Sequence, residues 1–267
     1  MTAPADRSST RWLAYFEGRR GLPLDAPLDA PVAQLPGRHE VARSIARFEL
    51  GESGDGARIR RLAAATDDPA YARCIELFVY EEQLHARWLG TLRERLCGRR
   101  LESHWSDRAF VVLRHAGGLR REIYVLLSAE LIALSYYRVL ALAYDDPLLR
   151  ATCRRILLDE RGHVAFHQAT LRGECSAMAA PARGAAMLAW RAFVAVTATV
   201  VAWDHRGVLE LAGVSRGDFE RDVRADARRL ARAVSAAERK QGRDPCQAQH
   251  AQDEGVGALD HQSAVVP

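Results

Sequence analysis

Glu52, then fourteen residues, Asp67-Asp68-Pro69, then twelve residues, Glu82-Gln83-Leu84-His85: this stretch occurs a second time in the chain. Glu130, Asp145-Asp146-Pro147 and Glu160-Arg161-Gly162-His163 repeat it at the same spacings, every element displaced by 78 residues. With 17 Glu and 9 His in the chain, about half a Glu-x-x-His pair arises by chance, so the two pairs alone decide nothing. The constant offset of lone Glu, turn and pair is what carries weight. It marks a duplicated supersecondary unit.

Each Asp-Asp-Pro reads as a helix start, because Asp caps free amides and Pro suits the first turn. Working outward from these turns, the sequence predicts helices over His39–Ala65, Pro69–Cys97, Leu119–Tyr144 and Pro147–Arg172. Short turns make the first two and the last two antiparallel hairpins. Gly98–Gly118 is long enough for a crossover, with Ser106–His115 helical inside it, leaving the second and third helices parallel. Two further helices are expected over Ala185–Leu211 and Ser215–Glu238. The fold class is therefore all-α: a four-helix bundle of two hairpins with two added C-terminal helices. Residues 1–37 form an arm with a short helix at Arg11–Gly18, presenting Trp12, Leu13, Tyr15 and Phe16, and a Pro-rich linker, Gly21–Gly37. The bundle occupies 38–172 and the added helices 173–238. From 239 to 267 the chain is polar and aperiodic and reads as a disordered tail.

In each hairpin the legs from lone Glu to turn and from turn to pair are about 20 Å at 1.5 Å per residue, so the carboxylates return to one level. Glu and His three apart project from one helix face. The apolar seams run Ile45, Phe48, Glu52, Asp55, Ile59, Leu62; Ile75, Phe78, Glu82, His85, Leu89; Ile123, Leu126, Glu130, Ala133, Tyr137; and Ile156, Glu160, His163, His167. Glu52, Glu82, His85, Glu130, Glu160 and His163 thus all fall on core-facing positions. Four carboxylates at one buried level repel one another and cost several kcal/mol each unless compensated. Two divalent cations compensate them, and four carboxylates with two imidazoles form the donor set of a di-iron or di-manganese centre. Glu49 competes with Glu52 but lies off the seam and off the repeat. Glu81 and Asp159 precede the two pairs and are candidates to hold the outward imidazole nitrogens reciprocally, Asp159 on His85 and Glu81 on His163. His167, one turn past His163, either lines a cavity or packs in the core. Tyr137 reads as packing.

Composition is that of an ordinary globular chain, 48% apolar and 27% charged, with net charge +4. The basic residues form no dense tract, which gives little support to a nucleic-acid partner such as the substrate of an RNA-modifying hydroxylase. Five cysteines without a Cys-x-x-Cys exclude a zinc-ribbon or rubredoxin-type site and suit a reducing cytoplasm. Ile123–Tyr144 and Ala185–Trp203 are strongly apolar but carry charges, so no membrane span is expected.

The residues Gly51-Glu52-Ser53, Glu81-Glu82-Gln83-Leu84-His85-Ala86 and Asp159-Glu160-Arg161-Gly162-His163 resemble the ferritin-like superfamily of ferritins, rubrerythrins, manganese catalases and di-iron oxygenases. The likeness covers about Ile45 to Leu171. It implies that the six seam residues ligate two iron ions, manganese being an alternative, with Glu82 and Glu130 or their counterparts bridging. It further implies an oxidoreductase using O2 or peroxide on a small-molecule substrate, with an electron donor in trans and a possible homodimer. The alternative is a ferroxidase or iron-handling protein without organic substrate; a metal-free helical scaffold is the third reading. The iron–sulfur-type cysteine domain of full rubrerythrins is absent, and Ile156 stands where one N-oxygenase group has an extra His.

Overall fold

A computed structural model describes residues 7–24 and 35–236. Most of the expected Pro-rich linker and the whole of the tail from Arg239, with Cys246, His250 and His261, lie outside the described residues. The elements are α1 (Arg7–Arg19), α2 (Arg38–Glu52), α3 (Ala57–Ala64), α4 (Pro69–Arg95), α5 (Trp105–His115), α6 (Leu119–Ala143), α7 (Pro147–Ser176), α8 (Ala180–Asp204), α9 (Arg206–Leu211) and α10 (Arg216–Ser235). No strand occurs among the described residues, and arm, central helices and C-terminal helices belong to one compact unit ending at Ser235.

The two repeated turns behave as their chemistry dictates. Asp68 accepts from the Tyr71 amide at 3.0 Å and Asp146 from the Leu149 amide at 2.7 Å, each with Pro in the first turn. Two apolar clusters organise the packing. The larger holds Ile45 of α2, Leu89 and Leu92 of α4, Ala133 and Tyr137 of α6 and Ile156 of α7. The smaller holds Trp12 and Phe16 of α1, Ile59 of α3, Phe78 of α4, Leu126 of α6 and Phe166 of α7. The order of these contacts along each helix gives its direction. From small cluster to large, α4 and α6 run one way; α2–α3 and α7 run the other. That leaves α4 and α6 parallel, joined through α5. The acids and imidazoles of the repeat lie between the clusters, as a polar layer across the helices.

Helix boundaries depart from expectation at α1, which begins at Arg7 and not Arg11, and at three places further on. The expected helix His39–Ala65 is broken at residues 53–56. Three glycines fall within Gly51–Gly56, Gly56 takes a left-handed φ of 63°, and Asp55 Oδ1 accepts from the Ala57 amide at 2.9 Å to restart the chain as α3. Asp55 is exposed there, not on the seam. α7 continues past Arg172 to Ser176, because Gly173 is on the solvent side while Leu171 and Cys175 keep the buried stripe. α8 begins at Ala180, with Pro181 in its first turn, and stops at Asp204, where buried His205 separates it from α9. α8 and α10 pair and lie against α6. By length and composition α6 and α8 are each apolar enough to cross a membrane; α6 is mostly buried, whereas α8 exposes Leu188, Val196 and Trp203.

Candidate metal centre

Six seam residues come from four helices: Glu52 is the last residue of α2, Glu82 and His85 lie mid-α4, Glu130 mid-α6, and Glu160 and His163 mid-α7. Glu52, Glu82, His85 and Glu160 each bring one donor atom within 4.8 Å of the others, a group able to hold a metal ion. His163 also reaches two members of this group. Its Nδ1 is 3.1 Å from Glu82 Oε1 and 3.5 Å from Glu160 Oε2. His85 Nδ1 lies 3.5 Å from Glu160 Oε1 and 3.9 Å from Glu82 Oε1. Both Nδ1 atoms therefore face the same two carboxylates, Glu82 and Glu160. Of the carboxylates that the resemblance offers as bridging, Glu82 and Glu130 or their counterparts, it is Glu82 and its counterpart Glu160 that both Nδ1 atoms face, while Glu130 lies 3.1 Å from His167 Nε2. The reason is the duplication: the pair-bearing helices α4 and α7 run antiparallel, so equivalent positions of the two copies, 82 and 160, meet.

The outward nitrogens are occupied reciprocally. His85 Nε2 is 3.2 Å from Asp159 Oδ2, and His163 Nε2 is 2.8 Å from Glu81 Oε2. An imidazole whose Nε2–H donates to a carboxylate presents Nδ1 as the lone-pair nitrogen, which is the form a cation requires. Asp159 is also held by Arg155 Nε at 3.0 Å and by Arg19 Nη2 at 2.8 Å.

Toward the centre, satisfaction stops. Buried atoms without a hydrogen-bond partner include Glu82 Oε1, His85 Nδ1, both Glu130 oxygens, Glu160 Oε2 and His163 Nδ1. A buried unpaired polar atom costs about 1–3 kcal/mol, more when charged, and here those of Glu82, His85, Glu160 and His163 converge. Such a donor set fits divalent cations. Without them the proton balance is strained. Burial lifts Glu52 well above the carboxylate range, and the neighbouring Glu82 and Glu160 lift it further. Burial also lifts Glu130, partly offset by His167. In Glu82 burial pushes up but His163 and His85 outweigh it, leaving the carboxyl at about 2. The imidazoles respond to the surplus of acid: burial opposes their protonation, yet Asp159 and Glu160 raise His85 to about 9, and Glu160 and Glu81 raise His163 well above its ordinary value. Protons thus supply the positive charge that this surplus of buried acid draws.

On the His163 side the wall is aromatic. Phe16 stacks on His163 with ring centres 6.2 Å apart, and Phe78 meets the His163 and His167 rings edge-on at 4.8 and 4.9 Å. Glu82 alone among the ligand candidates is appreciably accessible, its side chain 20% exposed. Tyr137, read as packing, donates its hydroxyl to Glu52 Oε1 at 3.3 Å. Glu49 is away from the cluster, bound to Arg93 at 2.5 and 3.2 Å.

No family model, curated protein or solved structure matches this chain. The site rests on its own geometry. Three residues around it had no legible signal: Arg19, Arg155 and Phe16. The aromatic face of residues 12–16 was visible, but nothing in sequence tied it to the duplicated pairs.

Proposed function

We propose that this chain is a ferritin-like dinuclear carboxylate protein and an oxidoreductase that uses O2 or peroxide on a small-molecule substrate. The observation that carries this reading is the convergence of partnerless carboxylate and imidazole atoms on one buried point, while the outward nitrogen of each imidazole is already held. Glu82 and Glu160 lie between the two imidazoles and suit shared ligands; Glu52 suits a terminal ligand on the His85 side, and Glu130 one on the His163 side. Two iron ions, or manganese with the same donors, would supply electrons that no side chain here can deliver. The chain's own residues supply the rest. Asp159 and Glu81 fix imidazole orientation, Phe16, Phe78 and Phe166 exclude water, and the Tyr137 hydroxyl holds a proton at Glu52 Oε1.

Enclosure favours oxidation chemistry over iron handling. Ion traffic needs a polar route for hydrated cations, and the wall beside His163 is aromatic, with Phe16 fully buried. Restricted entry and excluded water instead suit a reactive centre fed by small uncharged oxidants. The test is anaerobic loading with Fe(II), metal analysis per chain, and O2 uptake with an added reductant. Two ions per chain and reductant-dependent uptake, both lost in Glu82→Ala and His163→Ala, are expected. A folded chain that takes up neither iron nor manganese refutes the reading; loading far beyond two ions in a large assembly replaces it with iron storage.

A further inference from the structure

We propose that α1 is a positioning element of the metal centre: Arg19 fixes the carboxylate that orients His85, Phe16 backs His163, and Tyr15 seated on Gly162 sets where the helix docks. This rests on the dinuclear reading above and extends it to a segment outside the duplicated unit. Trp12, Phe16 and Arg19 follow one another at four and three residues, hence along one helix face, with Tyr15 beside them. That face meets the centre at both imidazoles. Phe16 lies against the His163 ring and edge-on to Phe166 at 5.2 Å, and Trp12 meets Phe166 at 5.7 Å. Arg19 Nη2 takes Asp159 Oδ1 at 2.8 Å, while Oδ2 of the same carboxylate faces His85 Nε2. A carboxylate gripped only at Oδ2 can swing about its Cβ–Cγ bond. Gripped at both oxygens, by Arg19 on one and Arg155 with His85 on the other, its plane is set, and with it the His85 ring.

The seat is visible in the repeat. Gly162 occupies the third place of Glu160-Arg161-Gly162-His163, where the first copy has Leu84. A Cβ at 162 would overlap the Tyr15 hydroxyl, whereas Leu84 packs against the larger apolar cluster. Glycine in a helix interior is unfavourable, so its presence mid-α7 is explained by the close approach of α1. The second copy gives up helix propensity to admit the arm.

The test uses the full chain and Mn(II) as a redox-silent probe, titrated against a competing chelator. Wild type is expected to bind two Mn(II). In Arg19→Gln one of the two is expected to weaken by about 3–10-fold, less than the 10–100-fold for loss of a direct partner of a ligating His because Asp159 itself and its Arg155 bond remain, with the other unchanged; Arg19→Lys is expected to recover part of the loss. Gly162→Ala replaces no ligand and improves helix propensity, yet is expected to weaken Mn(II) binding similarly with helix content by circular dichroism preserved. Adding Tyr15→Ala to Gly162→Ala is expected to recover part of the affinity. Wild-type affinity at both positions in Arg19→Gln and Gly162→Ala overturns the assignment and leaves α1 as packing alone. Failure of wild type itself to bind overturns the dinuclear reading as well, so the two failures are told apart.

Discussion

Replacing Glu52 by Gln separates a ligand from a structural acid, because the two roles move stability in opposite directions. Glu52 is buried, lies beside Glu82 and Glu160, and is lifted well above the ordinary carboxylate range by burial first and those neighbours second. A group whose folded pKa is raised stabilises the fold below its unfolded value, near 4.3, and that contribution is lost as pH rises through the folded value. As pH rises without metal, ionising this carboxyl is therefore an increasing burden on the fold, and Gln removes it. Gln also keeps an oxygen for the Tyr137 hydroxyl, now 3.3 Å from Glu52 Oε1. The metal-free variant should melt no lower than wild type, and higher if the burden dominates. With metal the order reverses. A cation at 100 times its Kd stabilises by about 2.7 kcal/mol, and at roughly 2–4 °C per kcal/mol for a chain of this size wild type gains about 5–10 °C. Losing one carboxylate donor with a tenfold weaker site removes about 1.4 kcal/mol of this gain. Scanning calorimetry with Mn(II) and with chelator reads both arms. A variant that keeps the full metal-induced rise, or that loses stability in chelator, refutes a ligating role for Glu52.

Glu49→Ala is expected to leave two metal ions bound while lowering stability by about 2–3 kcal/mol, below the figure for a fully enclosed pair because Arg93 keeps Gly98 O and Glu94; chemical denaturation and metal analysis read the two effects. Asp146→Ala removes the cap on the Leu149 amide and should cost about 1 kcal/mol, read as a fall of a few degrees in the melting midpoint, with no change in metal content. His205 is buried with Nδ1 2.7 Å from Ser44 Oγ, and burial, then Arg47 and His104, depress it to about 3. Its contribution is present above the unfolded value near 6.5 and is lost as pH falls toward 3, at up to about 1.4 kcal/mol per pH unit; in chelator, His205→Asn should flatten the stability profile over that window.

Much of the fold was legible because its signals are local. An Asp-Asp-Pro turn caps one helix start whatever lies elsewhere, and both copies start at Pro69 and Pro147 as the turns dictate. Seam placement of the six ligand candidates was legible for a similar reason: a buried acid at an apolar position is costly and needs an explanation from any sequence. The break at residues 53–56 was missed because the seam was counted through it, and a heptad count does not register three glycines in six residues. Partner choice was the other blind spot. Glu49 and Glu52 differ by one turn, and only the position of Arg93 shows that Glu49 is neutralised there. The role of α1 depends on where the arm docks, and no periodic pattern encodes that.

The duplication explains why the two halves of the centre are alike, and the departures from it explain why they are not equivalent. Position 82 pairs with 160 and 85 with 163, so antiparallel α4 and α7 place two acids between two imidazoles. Elsewhere the copies diverge in ways that each alter one side. Glu81 against Asp159 gives His163 a glutamate whose Oε1 is left without a hydrogen bond, and gives His85 an aspartate held by two arginines. Leu89 against His167 puts an imidazole beside Glu130 with no counterpart near Glu52. Ile59 against Tyr137 puts a hydroxyl on Glu52 with no counterpart on Glu130. Leu84 against Gly162 admits α1 on one face only. The outer carboxylate tunes the basicity of a ligating imidazole: charge on Asp159 is drawn toward Arg19 and Arg155, so His85 receives less of it than His163 receives from Glu81. Under the dinuclear reading, the cation on the His163 side is therefore the better stabilised in a higher oxidation state, and the two ions should fill in sequence, not together.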